Sequence, residues 1–333
     1  MGYKQVLFFA IAFLFFFGCS QKEYFKPLEV NGEVSFDSKL PSEIVDTNKS
    51  GAILENRQIL TQEGLSKVEF KEGETFIGFS QGMYLFNSHC QELVIYDNKG
   101  KEKERMSIAF CPVSATIYGG EVAMVSNENT MYLYDLKSKS EIFSKKTNSA
   151  IAVNSLVQTP VFSGGKIYYP MLDGSVVILD RATTEIDKTI VIDSAPFFNN
   201  VIFLDVGKTL TLMATSKKLL SLYGGSDYTY DAEIRDIKIQ DNKIYLSTLD
   251  GSIKELDFTL KLLRELKFQF ASFSSINITN NILSVLETGS GYLIRVNLKD
   301  FTPSIYKISL SREKNIFTRE NLFYYEKGIL ELK

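Results

Sequence analysis

Along most of the chain, short apolar runs alternate with short polar breaks, and no sustained apolar repeat at helical spacing occurs beyond the first 17 residues. Runs of four to six apolar residues bounded by Gly, Asp and Asn predict strands joined by tight turns. The clearest unit is 162–180, Phe-Ser-Gly-Gly-Lys-Ile-Tyr-Tyr-Pro-Met-Leu-Asp-Gly-Ser-Val-Val-Ile-Leu-Asp. It reads as strand, Asp-Gly turn, strand, because that dipeptide tolerates the positive φ a tight hairpin needs. A second copy follows at 242–257, where Asp-Gly-Ser-Ile replaces Asp-Gly-Ser-Val.

Weaker copies fit the same frame at 79–97, 128–135, 216–223, 290–297 and 326–333, and an earlier one at 51–64. The hairpins end at 97, 135, 180, 223, 257, 297 and 333, about 39 residues apart on average, the period of a four-stranded propeller blade. The strand types agree with this reading. Segments 167–169 and 176–179 are continuously apolar, as strands buried on both faces must be. Segments 102–106 and 141–146 carry many charges, as outer strands need in order to resist pairing with other chains. The predicted fold is an all-β, single propeller of eight four-stranded blades, with seven as the alternative, spanning 28–333. The last copy stops at the end of a third strand, so an N-terminal strand must close the ring. The alternating segment 28–36 is the expected supplier, paired beside 328–333.

The first residues have a different logic. Lys4 precedes an apolar core at 6–17, followed by Gly18-Cys19. Twelve apolar residues are short for a membrane span, which needs about 20, and fit the apolar region of an export signal. The position of Cys19 resembles that of a bacterial lipoprotein, although Phe16 and Phe17 stand where Leu and a small residue are usual. Such a signal implies cleavage after residue 18, lipid on Cys19, and a polar tether over 19–27. By resemblance to such signals, Ser20 rather than Asp after the cysteine favours sorting to the periplasmic side of the outer membrane, with inner-membrane anchoring as the alternative.

Composition narrows function mainly by exclusion. A chain that is 44% hydrophobic with a formal net charge of -3 is neither disordered nor shaped for nucleic acid. One His and three Cys are too few for a His-rich metal centre or a multi-disulfide scaffold. No catalytic constellation stands out, so no catalytic residue, cofactor or metal is assigned and the protein is expected not to be an enzyme. His89 falls at a hairpin tip and reads as a loop residue. Asp173-Gly174 and Asp250-Gly251 are explained by turn chemistry. Val206-Gly-Lys-Thr209 lacks the first glycine of a phosphate loop, since Ile202 stands there. Hairpin tips and inter-blade links share one face of a propeller. Cys90 at such a tip and Cys111 in such a link are therefore expected to be neighbours, either as a disulfide or as two separate thiols. On the same face lies the link Ser194-Ala-Pro-Phe-Phe-Asn-Asn200. Its Phe197 and Phe198 either anchor a partner or begin the next inner strand and pack in the core. The link 271–275 is a weaker case of the same kind.

The Gly-Gly-Lys-Ile-Tyr…Asp-Gly-Ser-Val-Val-Ile-Leu-Asp unit resembles the repeat of quinoprotein-type propellers. A lipid-anchored chain with little beyond the propeller resembles, within them, the BamB family of outer-membrane β-barrel assembly lipoproteins. That resemblance implies a periplasmic scaffold, monomeric within a complex, whose partners are the membrane through its lipid and envelope or outer-membrane assembly proteins. The enzymatic quinoproteins carry a Trp docking signature, and the chain has no Trp, nor the Trp-Asp ending of ordinary WD40 repeats. Competing expectations are a propeller enzyme, which needs carboxylates or a metal converging on the central channel, and a small-molecule sensor or surface adhesin.

Overall fold

A computed structural model describes residues 23–150, 156–195, 197–310 and 315–332; the signal segment and Cys19 lie outside these residues. Eight antiparallel sheets succeed one another along the chain. We number them as blades 1 to 8, at 44–69, 74–107, 112–146, 161–191, 203–231, 234–267, 277–307 and 316–331. Strands a to d of each blade run outward from a central channel, and a strands of neighbouring blades lie against one another, as in blades 2 and 3. The count is eight, not seven.

Burial follows the apolar runs. In blade 4, strand b is Lys166–Pro170 and strand c is Ser175–Asp180, and Ile167, Tyr169, Val176, Val177 and Leu179 are all buried. The core is a ring of clusters in the spaces between blades. Leu85, Leu93 and Ile95 of blade 2, for example, pack on Ala115, Val122 and Met124 of blade 3. Each fully buried aliphatic side chain of this kind contributes about 1.5–3 kcal/mol. Polar ties cross the same spaces: the Tyr169 hydroxyl donates to the carbonyl of Tyr132 in the preceding blade, at 3.0 Å. Strand d of blade 3, Ser140–Lys146, is exposed along nearly its whole length, as its charges require.

The ring is closed by an N-terminal strand, but not by the expected one. Ser38–Lys39 supplies strand d of blade 8, pairing with Gly328–Glu331, and flanking amides of Asp37 and Leu40 donate to Ile329 and Lys327. Within the alternating segment, Gly32–Glu33 pairs in parallel with strand d of blade 7, Thr302–Lys307, as a fifth strand. Val34 and Phe36 pack onto blade 8, and the Phe36 ring stacks on Tyr325. The reason is the outer-strand rule itself. Outer strands here are polar, so the closing strand is the polar Ser-Lys pair, while the alternating residues before it cover apolar surface. The tether also differs from expectation. Residues 23–27 do not hang free: Phe25 is only 7% exposed, wedged edge-on between Phe268 of the blade 6–7 link and Tyr292 of blade 7.

Two features of blade 2 set its tolerance to change. Gly78 approaches blade 3 so closely that a Cβ there would lie 2.0 Å from the Ala115 carbonyl oxygen. Arg105 gathers three carboxylates, at 3.2 Å from Glu74, 2.5 Å from Glu92 and 2.9 Å from Glu102. Hydrogen bonding from Arg105 holds the Glu102 carboxyl down to about 2, from an ordinary 4.5.

Gly78→Ala is expected to destabilise the ring by about 1–3 kcal/mol through overpacking, measured as the shift of the denaturant midpoint. Because the folded-state value of Glu102 lies below its unfolded one, its contribution is complete above about pH 4.5 and is lost as pH falls toward 2. Melting temperature recorded across that window should fall less steeply for Glu102→Gln than for the parent chain.

Candidate partner-binding face

Hairpin tips joining strands b and c, and links joining strand d to the next blade, converge on one face. Cys90 at the blade 2 tip and Cys111 in the following link are joined by a disulfide. Asn87 braces the pair, its side-chain oxygen accepting from the Cys90 amide at 2.9 Å and its amide group donating to the Cys111 sulfur at 3.3 Å. His89 is exposed beside them, its ring over Gly73, where a Cβ would lie 2.0 Å from the imidazole. Its place is that of a loop residue.

The acidic turns are built by their own hydrogen bonds. Asp173 accepts from the Ser175 amide and hydroxyl, and Gly174 holds φ +84°. Asp250 accepts from the Ser252 amide and from Lys267. Burial opposes its ionisation, but the bonds from Lys267 and Thr248 outweigh it and hold the carboxyl down to about 2. Val206-Gly-Lys-Thr209 is the a–b hairpin of blade 5, where the Gly207 amide donates to the Leu210 carbonyl.

The aromatic link is where the two sequence alternatives separate. Strand a of blade 5 begins only at Phe203. Phe197 and Phe198 therefore stay in the link, 48% and 55% exposed. Phe198 is held in the left-handed region, φ +52°, uncommon for a bulky residue. Its carbonyl accepts from the Ser216 hydroxyl of the blade 5 tip at 3.0 Å, which fixes the turn. In the weaker link, Phe273 is buried against Phe268. Its near neighbour Phe270 is 49% exposed, also left-handed at φ +65°, and Leu249 of the adjacent tip is 57% exposed. Sequence reasoning missed both. Phe270 stands three residues past the end of the outer strand Leu262–Lys267, and only that place marks it as a loop residue.

Beside the Phe197 link, a groove of about 580 Å³ runs between blades 3 and 4. Met131, Leu172 and Val177 give it an apolar floor, and Lys145, Lys146 and Asp193 give it a charged margin. The central channel holds a second, polar cavity of about 460 Å³, lined in part by Lys49, Arg235, Asp236 and Lys238. Among the described residues, no group of three or more His, Cys, Asp or Glu is placed to hold a metal ion, and no helix is long and apolar enough to cross a membrane. What the geometry presents is a face with exposed aromatics beside a groove with an apolar floor.

Solved structures share the architecture. BamB from Moraxella catarrhalis superposes with a TM-score of 0.68 at 14% identity, covering 89% of this chain and 99% of that one. The C-terminal WD40 domain of Sif2 gives 0.66 at 14% identity, over 90% and 99%. At such identities the likeness establishes the fold alone, and it fits the BamB-like expectation at that level. No protein-family profile matches the chain. Individual relatives do. The plasminogen-binding protein PgbB of Helicobacter pylori strain J99 is 30% identical over 98% of this chain and 71% of its own length, and the protein of strain 26695 matches equally. The chain therefore belongs to the family of the plasminogen-binding protein PgbB.

Proposed function

We propose that the protein is a non-catalytic, exported propeller, anchored through lipid on Cys19, that binds a protein partner with its loop face. The observation that carries this reading is the pair Phe197 and Phe198, solvent-exposed beside the groove between blades 3 and 4, with Phe198 held in the left-handed region. Holding an aromatic in that conformation costs on the order of 1–3 kcal/mol, a strain that tends to be retained at functional sites. A prepositioned aromatic also loses little side-chain freedom when a partner covers it. Membership of the PgbB family makes plasminogen the first partner to test.

A second reading, the scaffold in outer-membrane protein assembly, is favoured by the N-terminal strap. Cys19 stands six residues before Phe25, a span of at most about 20 Å when extended. Phe25 is seated on blades 6 and 7 at the loop-face end. A lipid on Cys19 thus holds that side of the loop face near the bilayer, within reach of membrane proteins. The open outer edges of other blades add a route for strand addition, of the kind Gly32–Glu33 already makes on blade 7.

Purified full-length protein should bind immobilised plasminogen in surface plasmon resonance, and Phe197→Ser with Phe198→Ser should weaken binding roughly tenfold or more. Unchanged affinity in that variant removes the loop face from the reading. If plasminogen does not bind, recovery of barrel-assembly proteins with the tagged wild-type chain but not with Cys19→Ala supports the scaffold. Protease cleavage on intact cells places the face outside; protection places it in the periplasm.

A further inference from the structure

The central channel gathers cations from blades 1 and 6 around a single carboxylate. Lys49 reaches in from the a–b turn of blade 1, and its ammonium lies 3.8 Å from an oxygen of Asp236 in blade 6. That distance is at the outer limit of an ion pair, and the other Asp236 oxygen already accepts from the Ile276 amide at 2.8 Å. Arg235 and Lys238, on the same inner strand, Ile234–Gln240, line the cavity as well. The Arg235 Nε donates to the Phe273 carbonyl at 3.1 Å. Among the described residues, neither Arg235 nor Lys238 has a carboxylate at ion-pair distance. The lining so far named carries three positive charges against one negative.

We infer that this cavity binds a small organic anion bearing two or more carboxylate or phosphate groups, held by Lys49, Arg235 and Lys238. The chemistry fits in three respects. Charge-assisted hydrogen bonds to such groups are the strongest the side chains present can make. The walls restrict water, so the cations repel one another with less screening than on an open surface. Burial lowers the pKa of Lys49, Asp236 opposes that, and Lys238 and Arg235 add to the lowering. A bound anion would relieve that repulsion. Hydroxyls of Thr47 and Ser275, which also line the cavity, can complete the donor set. The volume, about 460 Å³, suits a small molecule and not a folded partner. The site is distinct from the loop-face aromatics and does not depend on what they bind.

The test is calorimetric titration of the full chain, solubilised in mild detergent, with citrate and with pyrophosphate at matched ionic strength. Binding of citrate assigns a polycarboxylate site, and binding of pyrophosphate a phosphate site. In either case Lys238→Gln, which removes no side-chain hydrogen bond or ion pair among the described residues, should weaken binding roughly tenfold or more, and Asp236→Asn should tighten it by removing the competing carboxylate. Melting curves without ligand establish that both variants fold. Absence of heat with both anions at millimolar concentration overturns the inference. So does binding that Lys238→Gln leaves unchanged, or that Asp236→Asn fails to strengthen.

Discussion

Every other property of the molecule depends on the burial of strands b and c between neighbouring blades. A blade such as 161–191 has apolar side chains on both faces of its middle strands, with Val176 packing toward blade 5 and Val177 toward blade 3. Alone it would leave both of those faces in water, and stacking in an open row would still leave one bare at each end. Closing the row into a ring leaves none. The strand pairing that completes blade 8 is short, the two-residue strand Ser38–Lys39 with its flanking amides and Phe36 over Tyr325, while Ile44, Ala52 and Leu60 of blade 1 pack on Phe317 and Tyr324 of blade 8. A propeller whose last blade is completed by its first segment is cooperative across its whole length, because losing that strand exposes the edge of blade 8.

Much of this was legible in the sequence, for a physical reason. Turn chemistry and double-sided burial both act locally and repeat, so Asp-Gly-Ser followed by an apolar run at 173–179 and at 250–253 identified the hairpins, and the period identified the blades. The charged outer strands followed from edge exposure. What was not legible were features set by where one element meets another. Residues 28–36 carry the pattern of a strand, yet hydrogen bonding passes to Ser38–Lys39, because alternation reports which side chains need cover and not which backbone is paired. Phe25, an aromatic in a polar segment, gave no local sign of the slot between Phe268 and Tyr292. Cys90 and Cys111 came together because the topology alone predicts that tips and links share a face; whether the sulfurs meet depends on side-chain direction.

On the candidate site the sequence was partial in an instructive way. Phe197 and Phe198 were found because two adjacent aromatics in a link are conspicuous, but their exposure was undecidable until the start of the next strand, at Phe203, was known. Phe270 was overlooked because a single phenylalanine after a strand has no pattern. The channel cations were invisible for the opposite reason. Lys49 and Lys238 lie far apart in sequence and belong to turns and strands that each look ordinary; only ring closure brings blades 1 and 6 to one cavity.

The N-terminal strap joins these themes. Between Phe25 and Lys39 the chain plugs the seam of blades 6 and 7, adds a strand to blade 7, covers apolar surface on blade 8 and closes the ring. A free tether would let the propeller tumble about its attachment point. A strap seated by Phe25 fixes which part of the rim lies nearest that point, so any anchor upstream also orients the loop face. The same segment therefore ties the stability of the ring to the orientation that any upstream anchor would impose. Substitutions along it are expected to couple the two, since loosening the strap both opens the edge of blade 8 and frees the face from its orientation.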